Sequence, residues 1–104
     1  MSQAALNGKP SLNGKPRLLL FSSRVSGRCR RVDGFLAQVL QRRANHSTFE
    51  LQHVTIEEQP DLHERFMIDV LPTLVVVADR KVQGRITDPS GCKEIERFLA
   101  PWLH

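Results

Sequence analysis

The stretch Leu18-Leu19-Leu20-Phe21-Ser22-Ser23-Arg24-Val25-Ser26-Gly27-Arg28-Cys29-Arg30-Arg31 constrains this chain more than any other. Four consecutive apolar residues suit a central strand covered on both faces. The polar run Ser22 to Gly27 interrupts them, and Gly27 permits a tight turn. From Arg28 onward the apolar positions are Cys29, Val32, Leu36, Val39 and Leu40, the spacing of one helix face. The stretch therefore predicts a strand over 17–22, a short loop, and a helix from Arg28 to about Ala44 with a cysteine in its first turn.

The following segments set the architecture. Phe49, Leu51 and His53 alternate with Glu50 and Gln52, which predicts a second strand running to about Ile56. Pro60 or Asp61 opens a short helix with Leu62, Phe66 and Met67 on one side. Leu74-Val75-Val76-Val77-Ala78 is a β-branched strand, and Asp79-Arg80 turns it into a partner over 81–86. Asp88-Pro89-Ser90-Gly91 is a loop. The last helix turns Ile95, Phe98, Leu99 and Trp102 inward, with Pro101 fraying its end. The order βαβαββα joins two parallel strands by a right-handed crossover and adds an antiparallel hairpin. The fold class is α/β, a mixed four-stranded sheet with helices on both faces.

A chain of 104 residues holds one modest core, so one domain is expected. Residues 17–104 are assigned to it. Residues 1–16 carry Leu6-Asn7-Gly8-Lys9-Pro10 and then Leu12-Asn13-Gly14-Lys15-Pro16, a duplicated turn-forming unit read as a flexible leader. The longest apolar run, Leu74 to Ala78, is too short to span a bilayer. The leader also lacks the apolar segment of a signal peptide. Two cysteines do not make a disulfide framework, which points to a reducing, cytoplasmic setting. A monomer is expected. Net charge is +4, with arginine crowded around Arg24 to Arg31. Tyrosine is absent and no basic stretch alternates with aromatics, which argues against nucleic-acid binding. His46, His53, His63 and His104 show no ligand spacing, so neither metal nor cofactor is expected.

Three features resemble the thioredoxin family. Ser26-Gly27-Arg28-Cys29-Arg30 stands where that family has Cys-Gly-Pro-Cys and a basic residue. Leu71-Pro72-Thr73-Leu74 is similar to its Ile-Pro-Thr-Leu, whose proline is cis and faces the redox site. Lys81-Val82 leads to Glu94-Ile95-Glu96-Arg97-Phe98-Leu99 at the family's spacing, and Pro60 and Phe66 match a proline and an aromatic before the cis-proline. The resemblance implies a thioredoxin-like fold lacking the family's first strand and helix. It also implies a site at Val25, Ser26, Gly27, Arg28, Cys29, Leu71, Pro72 and Thr73.

Departures accompany these matches. Val25 replaces a tryptophan, Leu20 a buried acid that assists proton transfer, and Asp88 a glycine bordering the substrate groove. Ser26 replaces the exposed cysteine that attacks disulfides. Disulfide exchange needs a thiolate and then a second thiol to release the mixed disulfide. A serine hydroxyl supplies neither, so no internal dithiol cycle is expected here. Two readings stand side by side. One is an interaction module that binds a protein or peptide through the surface around Val25, Ser26, Arg28 and Pro72. The other is a monothiol redox protein or sensor acting through Cys29, by glutathionylation or a mixed disulfide, with nearby arginines receiving glutathione carboxylates. The helix N-terminus and arginines favour a Cys29 thiolate, whereas burial on the apolar stripe favours a quiet structural thiol. A further reading takes Ser26 as an engineered change in a CxxC enzyme. A Cys29–Cys92 disulfide needs close Cα approach.

Overall fold

The computed structural model describes residues 15–103 of the chain; the leader duplication and His104 lie outside or almost wholly outside that range. Strand β1 (Arg17–Ser22) is buried along its whole length. It pairs in parallel with β2 (Glu50–Thr55) and antiparallel with β3 (Thr73–Ala78), which pairs antiparallel with β4 (Lys81–Thr87). The sheet order is β2-β1-β3-β4, so the two most apolar strands occupy the centre. Among the described residues no strand precedes β1.

The pleat of β1 and β3 divides the core in two. Leu18, Leu20, Leu74 and Val76 face α1 (Gly27–Gln41) and α3 (Cys92–Leu99), packing against Val32, Leu36, Val39, Ile95 and Leu99. Leu19, Phe21, Val75 and Val77 face α2 (Pro60–Arg65), packing against Leu62 and Phe66. Helices thus cover both faces, as the alternation of strands and helices predicts. Trp102 is half-buried beside Phe49, with ring centroids 6.4 Å apart. Gly84 lies under α3, where an added Cβ would sit 3.3 Å from Phe98 Cε1.

Several local expectations need correction. Helix α1 ends at Gln41 rather than near Ala44, and a 3-10 turn follows over Arg42–Ser47. The Asn45 side chain donates to the Arg42 carbonyl at 2.8 Å and accepts from Thr48 Oγ1 at 3.0 Å. That local network competes with continued α-helix. Met67 does not join the buried side of α2: its φ is 55° and it is 76% exposed. Arg85, reaching over from β4, donates to the carbonyls of Phe66 at 2.7 Å and Met67 at 3.4 Å. It thereby closes the end of α2. Strand β2 begins at Glu50, just after buried Phe49; on it Val54 is buried while Leu51 and His53 are exposed, as an edge strand allows.

His63 is buried on α2, a position that spacing rules did not single out. Its Nε2 donates to the Val54 carbonyl at 2.8 Å, its Nδ1 has no hydrogen-bond partner among the described residues, and its ring meets Phe21 edge-on. Helix α3 begins after extended Gly91, and Glu94 Oε1 accepts from the Ser90 N–H at 2.7 Å and hydroxyl at 2.9 Å. Those two donors hold the Glu94 carboxyl below its ordinary value.

Leu36 is fully buried between α1 and the sheet. Leu36→Ala should lower unfolding free energy by about 3 kcal/mol, the cost of a core cavity, measured by denaturant titration. A loss below about 1 kcal/mol would mean that α1 is not seated there as described.

Candidate functional site

The loop that leaves β1 brings the candidate residues together at the end of the sheet. Ser26 is the N-cap of α1: its backbone is extended and its Oγ accepts from the Cys29 N–H at 3.2 Å. A serine there satisfies one of the otherwise orphaned N–H groups of the first turn. Cys29 follows in that turn and is 3% exposed. Its sulfur accepts a hydrogen bond from the Ser23 N–H at 3.4 Å. Val25 protrudes at 86% exposure, the most exposed large apolar side chain described.

The loop is tied to the segment after β2. Glu57 accepts from Ser23 Oγ at 2.6 Å and from the Arg24 N–H at 3.1 Å. These donors, the Ser23 hydroxyl first, hold its carboxyl below the ordinary value of 4.5. Arg24 pairs with Glu58, which also accepts from Thr55 Oγ1 at 3.2 Å. Arg30 donates to the Arg24 carbonyl at 3.4 Å. On the other side, Arg28 pairs with Asp88 at 3.2 Å. The Asp88 N–H donates to the Pro72 carbonyl at 2.7 Å, so this ion pair joins the start of α1 to the Pro72 turn. Arg24 and Arg28, two of the arginines expected to take glutathione carboxylates, are therefore already matched by carboxylates of this chain.

The Leu71–Pro72 peptide bond is cis. Leu71 is half-buried and Pro72 buried. Thr73 is buried, and its hydroxyl donates to the Val70 carbonyl at 2.7 Å, bracing the turn from within. Val70 and Met67 leave apolar surface exposed in the same segment. Both cysteines are free thiols. Cys92 lies against Phe35 and Gln38. Phe35 is six residues beyond Cys29 on α1, roughly 9 Å along the helix axis.

Sequence reasoning did not find what lies behind Cys29. A cavity of about 170 Å³ opens there, lined among others by Leu20, Cys29, Arg30, Asp33 and His53. His53 Nε2 and Asp33 Oδ1 are 2.9 Å apart on its wall. A signal existed: Asp33 follows Cys29 by four residues on one helix face. The pairing partner was hidden, because only the parallel register places His53 beside Leu20. Among the described residues, no three His, Cys, Asp or Glu side chains are grouped so as to hold a metal ion. No described helix is long and apolar enough to cross a membrane.

The β2-β1-β3-β4 sheet, the helix capped beside a cysteine and the cis-proline turn linked to its start through Arg28 and Asp88 define a protein of thioredoxin-like fold. The chain belongs to the thioredoxin family: that family's model matches residues 5–101. Trxlp from Edwardsiella tarda EIB202 has a similar structure, with a TM-score of 0.78 at 18% identity, over 95% of this chain and 94% of that one. Fasciola hepatica thioredoxin gives 0.73 at 14%, covering 86% and 82%. Mitochondrial thioredoxin 3 from Saccharomyces cerevisiae gives 0.71 at 17%, covering 85% and 79%. At these identities the likeness is one of fold. No curated protein sequence matches this chain closely enough to count as a relative.

Two measurements test the site as built. Ser26→Ala removes the cap and should cost about 1 kcal/mol of stability in denaturant titration; no change would mean that the cap carries no load. The Glu57 tether has a depressed folded value, so its stabilisation is present above about pH 4.5 and lost as pH falls through the lower folded value. The Ser23 and Arg24 amide resonances should move with a midpoint below 4.5, and Glu57→Gln should abolish that transition. A midpoint at or above 4.5 would contradict the tether.

Proposed function

We propose that this protein is a binding module that holds an extended peptide or protein segment across Val25, Ser26, Gly27, Arg28 and the Leu71–Pro72–Thr73 turn. On this reading it runs no dithiol–disulfide cycle. The observation that carries the reading is the atom at Ser26. It is a hydroxyl oxygen, occupied as a helix cap at 3.2 Å from the Cys29 nitrogen. A hydroxyl forms no mixed disulfide, and Cys29 alone has no partner thiol in this loop to release one. What remains around Ser26 is a recognition surface. Val25 supplies exposed apolar area next to Ser26, Val70 supplies more just before the Leu71–Pro72 turn, and the backbone beside Pro72 suits pairing with an extended chain. The Arg28–Asp88 pair gives that surface a charged edge that selects among partners. The same reading has a monomer working in a reducing, cytoplasmic setting, in keeping with a chain of two cysteines.

Insulin reduction driven by dithiothreitol tests the first half. The wild type should run at the rate of the blank, and turnover above it would overturn the reading. Gain of activity in Ser26→Cys would show that the rest of the site survives. Titration with a panel of extended peptides, followed by amide shifts, tests the second half. Shifts should centre on Val25 to Arg28 and on Leu71. Val25→Asp should weaken binding by about tenfold while changing stability by no more than about 0.5 kcal/mol. Shifts confined to other surfaces would refute the assignment.

A further inference from the structure

We propose that His63 makes the Pro72 turn sensitive to pH: when its ring takes up a proton, α2 parts from the sheet and the turn loses its inner support. The inference rests on the peptide-binding reading only for what is regulated; the switch itself belongs to the free chain. His63 is 3% exposed. Its ring lies edge-on to Phe21, with centroids 5.0 Å apart, and Phe21 belongs to the apolar cluster that α2 makes with the sheet. The Val54 carbonyl can only accept, so the Nε2 that meets it at 2.8 Å carries a hydrogen. In the neutral ring Nδ1 is then a bare acceptor, and no donor among the described residues reaches it.

That setting has no place for a charged ring. A proton on Nδ1 would be a donor without an acceptor, on a cation taken out of water. Charged groups on the surrounding elements do not offset it. Pleat alternation puts Arg17 of β1 on the side of Phe21, and Arg17 pairs with Glu50 of β2 at 3.4 Å. Val75 and Val77 of β3 carry no charge. Arg85 of β4 is spent on the Phe66 and Met67 carbonyls. Glu57 and Glu58, ahead of α2, are held by Ser23 and Arg24. On α2 itself Asp61, Glu64 and Arg65 are exposed, as is Asp69 beyond it. No carboxylate of the described residues bonds to the ring, and a cation–π contact with Phe21 does not replace a solvation shell.

Opening accommodates the proton. Helix α2 is six residues long, so it has little stability of its own once its packing is lost. When it lifts, water reaches both ring nitrogens and the histidine titrates as an exposed one does, near about pH 6.5. Below that value each pH unit favours the opened form by up to about tenfold, because it binds a proton that the closed form does not. The closed form is therefore fully favoured above the histidine range and loses ground as pH falls through it. The change reaches the binding surface through backbone and packing together. The Ile68 N–H donates to the His63 carbonyl at 2.8 Å, and Ile68 and Leu71 pack against the same apolar cluster. With α2 displaced, Leu71 loses the seat that positions its backbone for an extended partner.

The experiment uses the full chain between about pH 7.5 and 5, above the range in which the Glu57 tether titrates. Ring nitrogen resonances follow protonation of His63. Hydrogen exchange follows the Phe66 and Ile68 amides, which bond to the Leu62 and His63 carbonyls. Corrected for intrinsic rates, protection of both amides should fall by up to about tenfold per pH unit below about 6.5. The Leu71 amide resonance should move in parallel. His63→Gln keeps a donor for the Val54 carbonyl and has nothing to titrate, so it should flatten both responses, whereas His53→Gln should leave them intact. A peptide chosen for shifting Leu71 at the upper pH should bind the wild type less tightly at the lower one, and His63→Gln equally at both. Constant protection across the range, a protonated ring with both amides still protected, or an unchanged response in His63→Gln would overturn the proposal. The wild-type titration decides it even if His63→Gln folds poorly. Absence of peptide binding at every pH would defeat the binding reading and not the switch.

Discussion

Everything in this molecule leans on β1 being covered from both sides. Its six residues are all buried, and its alternating side chains belong to two separate apolar clusters, one beneath α1 and α3 and one beneath α2. A strand placed so satisfies its backbone through β2 on one edge and β3 on the other. Burying a leucine or phenylalanine side chain contributes on the order of 2 kcal/mol, and β1 supplies four in succession. Helix positions, the antiparallel hairpin and the location of the site all follow from that strand.

The site is where that apolar run has to stop. Ser22, Ser23 and Arg24 carry the chain out of the sheet, and Glu57 and Glu58 hold the exit from the neighbouring strand end. Ser26 then starts α1, and the helix stripe that must meet the sheet begins at Cys29. Packing thus draws the sulfur inward, and capping points the serine oxygen at the Cys29 nitrogen. The same geometry that would serve a thiol pair leaves here an outer apolar and charged face and an inner thiol with its own cavity.

Most of the fold was legible in the residues. The strand at 17–22, the apolar stripe of α1, the turn at Asp79-Arg80 and the inward face of α3 all lie where periodicity put them. Legibility failed where a side chain competed with the backbone. Asn45 ended α1 early through its own hydrogen bonds, and Met67 turned outward at positive φ with Arg85 closing the helix behind it. It failed again on β2, where alternation does not say that a strand lies at an edge. Ser26 and Cys29 were readable as a pair in sequence; His53 and Asp33, twenty residues apart, were not.

The sequence by itself determined the α/β order, the apolar positions of each helix and the oxygen that stands at position 26, since those depend on local period and residue chemistry. Only the tertiary structure decided which charges meet and which groups share a cavity with the thiol. Ion pairs such as Arg28–Asp88 and His53–Asp33 form between segments far apart in the chain. Their partners are fixed by strand register and helix packing, which no local pattern encodes.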